Sequence, residues 1–194
     1  MASIGDFINF EAYMVKRIER YHRLFHSNSK LKQMLGRYIF NRSKRICSCN
    51  IYPAAIWGRN IYLVHPDDVW IGETAVLGNN IMIYPGVKLA ANFTKKPGEN
   101  GRRHARISDD CILCINSTVV GPVTIGKNSI IGACALVTRD VPENTIVTGV
   151  NQYRPNPYQN VSFLAQTSEK TNRRRIMNLD PSLLKDASGR EASE

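Results

Sequence analysis

From Ile51 onward the chain sets an apolar residue at every sixth position. The series runs Ile51, Trp57 and Leu63, then Ile71, Leu77, Ile83 and Leu89, then Ile107, Leu113, Val119, Ile125, Ile131 and Val137. The second place of each unit is often Gly. Two extra residues, assigned to Val69 and Trp70, separate the third unit from the fourth, and a long polar stretch follows the seventh. An α-helix has no period of six, and an ordinary strand alternates every two. A six-residue unit fits a short flat strand followed by a turn. Three units then close a triangular coil, and stacked coils bury the leading residues in one continuous core. The frequent Gly, Asn and Asp suit corners that need tight or left-handed backbone. A β-sandwich would show alternating strands and irregular spacing, not thirteen apolar starts in near-constant register. Residues 49–150 are therefore predicted to form a parallel β-helix, and the chain is mostly β.

Residues 1–48 have a different rhythm. Phe7, Phe10, Met14, Ile18, Tyr21 and Phe25 recur at spacings of three and four, which places them on one face of a helix. His26 to Ser29 interrupts the pattern, and Ser29 suits the N-cap of a second helix with Leu31, Met34, Leu35, Tyr38 and Ile39 on its apolar side. This short α-helical arm ends near Arg42 to Arg45. Beyond Val150 the run Asn151-Gln-Tyr-Arg-Pro-Asn-Pro cannot continue a coil, because proline denies the ladder a hydrogen bond. Residues 151–194 are expected to be a polar C-terminal tail, partly disordered, with a short helix from Ile176 to Leu184.

Charge adds one feature. Of the net +10, ten Lys or Arg lie between Lys16 and Arg45 against one acid, Glu19. Such a surface suits anionic lipid headgroups, acidic saccharides, nucleic acid or phosphorylated cofactors. No usual nucleic-acid module is present, so no nucleic-acid partner is expected, and membrane association would rest on charge alone. The N-terminus lacks the basic start and apolar centre of a secretory signal, and no apolar run reaches the roughly 20 residues that span a bilayer. A cytoplasmic location is expected. Cys111 and Cys114 have C-x-x-C spacing, but Cys47 and Cys49 make a poor second pair for zinc. The thiols read as small coil residues, and no metal is expected.

The projecting loop 93–106 is the place where a rigid scaffold would carry chemistry. Of four histidines, His22 and His26 fall on the basic arm, where solvent exposure is expected. His65 lies in a coil, in Leu-Val-His-Pro-Asp-Asp, and His104 lies in the loop, in Arg-Arg-His-Ala-Arg. An imidazole that titrates near neutrality is the natural base for a hydroxyl, and amides or fixed side chains can stabilise an oxyanion.

Asn50-Ile-Tyr-Pro-Ala-Ala, Leu-Val-His-Pro-Asp-Asp-Val-Trp-Ile-Gly-Glu-Thr-Ala-Val and Arg-Arg-His-Ala-Arg-Ile together resemble the serine acetyltransferase branch of the hexapeptide-repeat acyltransferases. The resemblance runs from about Asn50 to Val150 and implies a left-handed parallel β-helix, acetyl-CoA as co-substrate and a homotrimer. It implies that His65 is the general base and that Arg103 and His104 reach the acceptor from the loop, with His104 in contact or catalysis. Acetyl-CoA would lie between neighbouring β-helices, near Ala91, Ile115 and Ala133, with Lys127 and Arg139 suited by charge to its phosphates.

The resemblance is imperfect where the acceptor binds. The family has aspartate at the positions of Asn50 and Val64. Asparagine can hydrogen-bond an imidazole but lends it no negative charge, and valine cannot hold an ammonium group. The helical arm is also short for this branch, which favours a simple trimer. On these grounds the expected acceptor is a sugar or surface-glycan hydroxyl, with serine O-acetylation as the alternative and a non-catalytic binding or assembly module as a second.

Overall fold

A computed structural model describes residues 10–94, 96–155 and 176–177. The hexads form three parallel sheets, here faces A, B and C. Face A holds β1 (Asn50–Ile51), β4 (Trp70–Ile71), β7 (Lys88–Ala90), β10 (Thr118–Val120) and β13 (Leu136–Val137) in that spatial order. Face B holds β2 (Ile56–Trp57), β5 (Val76–Leu77), β8 (Arg106–Ile107) and β11 (Thr124–Ile125). Face C holds β3 (Ile61–Leu63), β6 (Met82–Ile83), β9 (Ile112–Leu113), β12 (Ile130–Ile131) and β14 (Thr145–Thr148). Successive strands change face, so each coil is a triangle and the hydrogen bonds between strands run along the axis to the next coil. The Asn50 amide donates to Val69, that of Trp70 to Val87 and that of Lys88 to Ser117, at 2.8–2.9 Å.

All thirteen leading residues are at most 2% exposed, so the six-residue pattern does describe the core. A second buried row precedes it by two places: Ala55, Ile61, Val69, Ala75, Ile81, Val87, Ala105, Cys111, Ser117, Val123, Ser129 and Ala135. Val69 belongs to this row and so is no insertion. The two extra residues lie earlier, in a corner of six (64–69) where later coils use four, and His65 sits there with φ 43°. The row also explains Cys111, whose interior thiol is pushed up to about 12 by burial. Among the described residues no group of three or more metal-ligating side chains assembles.

Corners are built as the composition implies. Asn60, Asn80, Asp110, Asn128 and Asn144 stack along one edge, each with φ between 54° and 58°. Their side chains join in pairs, Asn60 to Asn80 at 2.9 Å, Asn80 to Asp110 at 3.0 Å and Asn128 to Asn144 at 2.9 Å.

The arm closes the first coil. α1 (Phe10–Phe25) buries Met14, Ile18 and Tyr21, and the Tyr21 hydroxyl donates to the Ile51 carbonyl at 2.8 Å. Phe7 lies outside the described residues. His22 is not solvated: it is 1% exposed and its Nε2–H donates to the Ala55 carbonyl at 3.1 Å. His26 is half-buried and donates to the Pro53 carbonyl at 2.8 Å. α2 (Lys30–Cys47) starts after Ser29, whose hydroxyl makes no capping bond. Its packed face is Gly36, Ile39, Phe40 and Ser43, because only Gly36 allows the helix to approach the Tyr21 carbonyl and Phe25 amide this closely. The expected apolar side is therefore misassigned: Leu31, Met34, Leu35 and Tyr38 are exposed, and Ile39 alone of that set is buried. No helix among the described residues is long and apolar enough to cross a membrane.

After β14 the chain reverses into β15 (Gln152–Pro155), which pairs antiparallel with β14. β16 (Ile176–Met177) pairs antiparallel with β3 at the other end of face C. Residues 176 and 177 are thus a strand where a helix was expected; 178–184 lie outside the described residues.

Candidate active site

The long insertion leaves face A after β7 and re-enters at β8, so the residue before Ala105 stacks on the residue before Ala75. The register pairs Val76 with Arg106, a step of thirty residues that brings His104 onto Thr74. The Thr74 hydroxyl receives the backbone N–H of Arg103 at 3.0 Å and of His104 at 3.2 Å, and it lies 2.7 Å from His104 Nδ1. The imidazole covers Gly72 so closely that a Cβ there would stand 1.9 Å from Nε2. Burial holds the His104 pKa below its ordinary value, opposed by the nearby Glu73 charge.

Around His104 is a cavity of about 540 Å³ on face A, walled by Asn50, Tyr52, Trp70, Glu73, Ala91 and Phe93 among others. Asn50 Oδ1 is buried in this wall with no hydrogen-bond partner. Arg103 lies with its guanidinium 5.3 Å from the Phe93 ring centroid, and its Nη1 is buried without a partner. An unfilled acceptor and an unfilled cationic donor near one cavity are the features of a site for a small polar molecule. Arg102, the loop's other arginine, points inward, and its Nη1 donates to the carbonyls of His104 at 2.9 Å and Val123 at 3.1 Å. It ties the loop to the scaffold, whereas Arg103 stays beside Phe93 at the cavity.

The remaining predicted residues are spread over the prism. His65 is exposed at the corner where the chain enters face A, whereas His104 occupies the corner where it leaves. A single chain therefore does not bring the two histidines together, and His65 is not in the wall of the cavity. Ala91 alone of the five residues suggested for acetyl-CoA lines the cavity. Ile115 and Ala133 occupy the corner entering face A on successive coils, with the Cys134 amide donating to Ile115 at 2.9 Å, and Arg139 follows β13 at the leaving corner. Lys127 lies at the corner between faces B and C, 3.5 Å from Asp110. Gly72, Glu73, Thr74, Trp70 and Phe93 were not singled out from sequence as site residues. The thirty-residue register was the signal that would have found Thr74.

Comparison with known proteins decides the family. The family described as bacterial transferase hexapeptide (six repeats) matches residues 104–139. Serine acetyltransferase of Bacillus pumilus is 36% identical over 130 residues, covering 66% of this chain and 58% of that protein. The crystal structure of Neisseria gonorrhoeae serine acetyltransferase superposes with a TM-score of 0.65 at 31% identity, over 80% of this chain and 58% of the other. This chain belongs to the hexapeptide-repeat acyltransferases, in the serine acetyltransferase-like branch. Its fold is the left-handed parallel β-helix. The chain spans 58% of the length of the first Bacillus relatives it matches.

Membership of this branch corrects the expected acceptor. These relatives are serine acetyltransferases, and the Neisseria gonorrhoeae protein has also been solved in complex with serine, at 34% identity and a TM-score of 0.62 over 73% of this chain and 55% of that one. The glycan expectation leaned on the acids missing at Asn50 and Val64. The cavity wall nonetheless keeps a carboxylate, Glu73, so those two changes do not empty the site of negative charge.

Proposed function

We propose that this protein is an acetyl-CoA-dependent serine O-acetyltransferase. The observation that carries the reading is the cavity on face A, where unfilled Asn50 Oδ1, the Glu73 carboxylate and His104 converge beside the unfilled Arg103 guanidinium. Free serine offers an ammonium group to Asn50 and Glu73 and a carboxylate to Arg103, whose planar donors suit it. Its hydroxyl is left for chemistry. The Brucella abortus serine acetyltransferase, 28% identical with a TM-score of 0.63 over 73% of this chain and 53% of that one, has been solved in complex with coenzyme A. That supports a coenzyme A thioester as donor here.

In this reading His65 takes the serine hydroxyl proton as the oxygen attacks the thioester carbonyl. The tetrahedral intermediate collapses by expelling the coenzyme A thiolate, and the proton held by His65 protonates it. Because His65 and His104 stand at opposite corners of face A, His65 would come from a neighbouring copy, and the assembly is a homotrimer. Ala91, Ile115, Ala133 and Arg139 all flank face A, where a groove between two copies would take the coenzyme.

Incubation of the purified protein with acetyl-CoA and L-serine should release free thiol and form O-acetylserine. Light scattering should give three times the 21.9 kDa chain mass. The His65→Ala variant should lose about a hundredfold to ten-thousandfold in kcat, the usual contribution of a general base. Thiol release that does not depend on serine, or a fully active His65→Ala, would count against the assignment.

A further inference from the structure

His104 is held through one hydroxyl, and counting its hydrogen bonds fixes the imidazole's proton. A threonine hydroxyl has two lone pairs and one proton. Both lone pairs of Thr74 Oγ1 are engaged, by the N–H of Arg103 at 3.0 Å and the N–H of His104 at 3.2 Å. The remaining hydroxyl proton points along the 2.7 Å contact to His104 Nδ1. The Thr74 backbone N–H is directed at the same nitrogen, at 3.4 Å. Two donors converging on Nδ1 require it to carry a lone pair, which places the ring proton on Nε2. They also oppose a second proton on the ring, in the same direction as the burial of this half-exposed imidazole. The Nε2 edge lies over Gly72, and both residues line the cavity.

We propose that Thr74 is a positioning residue that fixes His104 as the neutral Nε2–H tautomer, so that His104 acts on the bound acceptor or its oxyanion as a hydrogen-bond donor and not as a base. Proton removal then falls to His65 alone. The donor role rests on the acyl-transfer reading above, but the tautomer does not, and the two are tested separately.

Proton–nitrogen correlation spectra of the full-length protein, labelled with 15N in its histidine rings, distinguish a bare ring nitrogen from a protonated one. With His104 assigned by comparison with His104→Gln, the wild type and Thr74→Ser should show a bare Nδ1 and a protonated Nε2. Thr74→Val, which keeps the shape and loses the hydroxyl, should show a mixed or reversed tautomer. A protonated Nδ1 in the wild type, or an unchanged tautomer in Thr74→Val, overturns the proposal whatever the activity. In turnover, His104→Ala should lose about a hundredfold, as expected for one lost oxyanion or substrate donor. His104→Gln can donate from near the Nε2 place but cannot take a proton, and it should recover most of that loss. Equal loss in both variants would mean that His104 works as a base.

Discussion

Gly72 has no side chain because His104 occupies the space. A Cβ 1.9 Å from Nε2 cannot be accommodated, and the ring, held from behind by Thr74, has little room to retreat. Gly72→Ala is expected to displace the imidazole by an ångström or so. Misplacement on that scale costs about a hundredfold in rate. The check is kcat/KM for serine alongside a melting curve, with the loss in activity far exceeding the loss in stability. His22 makes a second prediction at this scale. Its burial lowers the pKa from 6.5 to about 4, and its Nε2–H is committed to the Ala55 carbonyl. Above pH 6.5 folded and unfolded chains both hold it neutral, and its contribution to stability is complete. As the pH falls from 6.5 toward 4 only the unfolded chain takes up the proton, so stability drops by up to about 1.4 kcal/mol per pH unit. Urea unfolding of wild type and His22→Gln at several pH values should show that slope in the first and its reduction in the second.

At the scale of elements, the coils were readable because one physical demand repeats: a large aliphatic residue inward at each strand. Leading positions from Ile51 to Val137 follow from that alone. The length and placement of the wide corner did not, since Val69 and Trp70 read as an insertion until the second buried row showed where the register is kept. α2 misled for a related reason. Leu31, Met34, Leu35 and Tyr38 have helical spacing, but spacing cannot say which side faces the protein, and a glycine and a serine made the closer contact. Leu31→Ser with Leu35→Ser should therefore change unfolding free energy by no more than about 1 kcal/mol in sum, as surface changes do. Ile18→Ala, at a fully buried site of α1, should cost about 2–5 kcal/mol. Denaturant titration of these variants separates the exposed side of α2 from the buried side of α1. Of the candidate site, the loop, Arg103, His104 and Asn50 were named from the sequence; Thr74 and Gly72 were not, because their place beside His104 comes only from stacking one coil on another.

Across the whole molecule, the axial hydrogen bonds give each coil only two partners, the coil before and the coil after. The ends of such a stack are chemically the same as its middle. An unfinished coil presents a row of amides and carbonyls to which another chain could add, which is how parallel β-structures grow into fibres. Along face C this chain is terminated at both exits by strands running the wrong way, β15 against β14 and β16 against β3. A reversed strand offers the next molecule a mismatched register. Head-to-tail polymerisation is thereby discouraged, and copies that meet are left to associate through their flanks. Flank-to-flank contact closes on itself after a few subunits, whereas end-to-end contact has no natural limit.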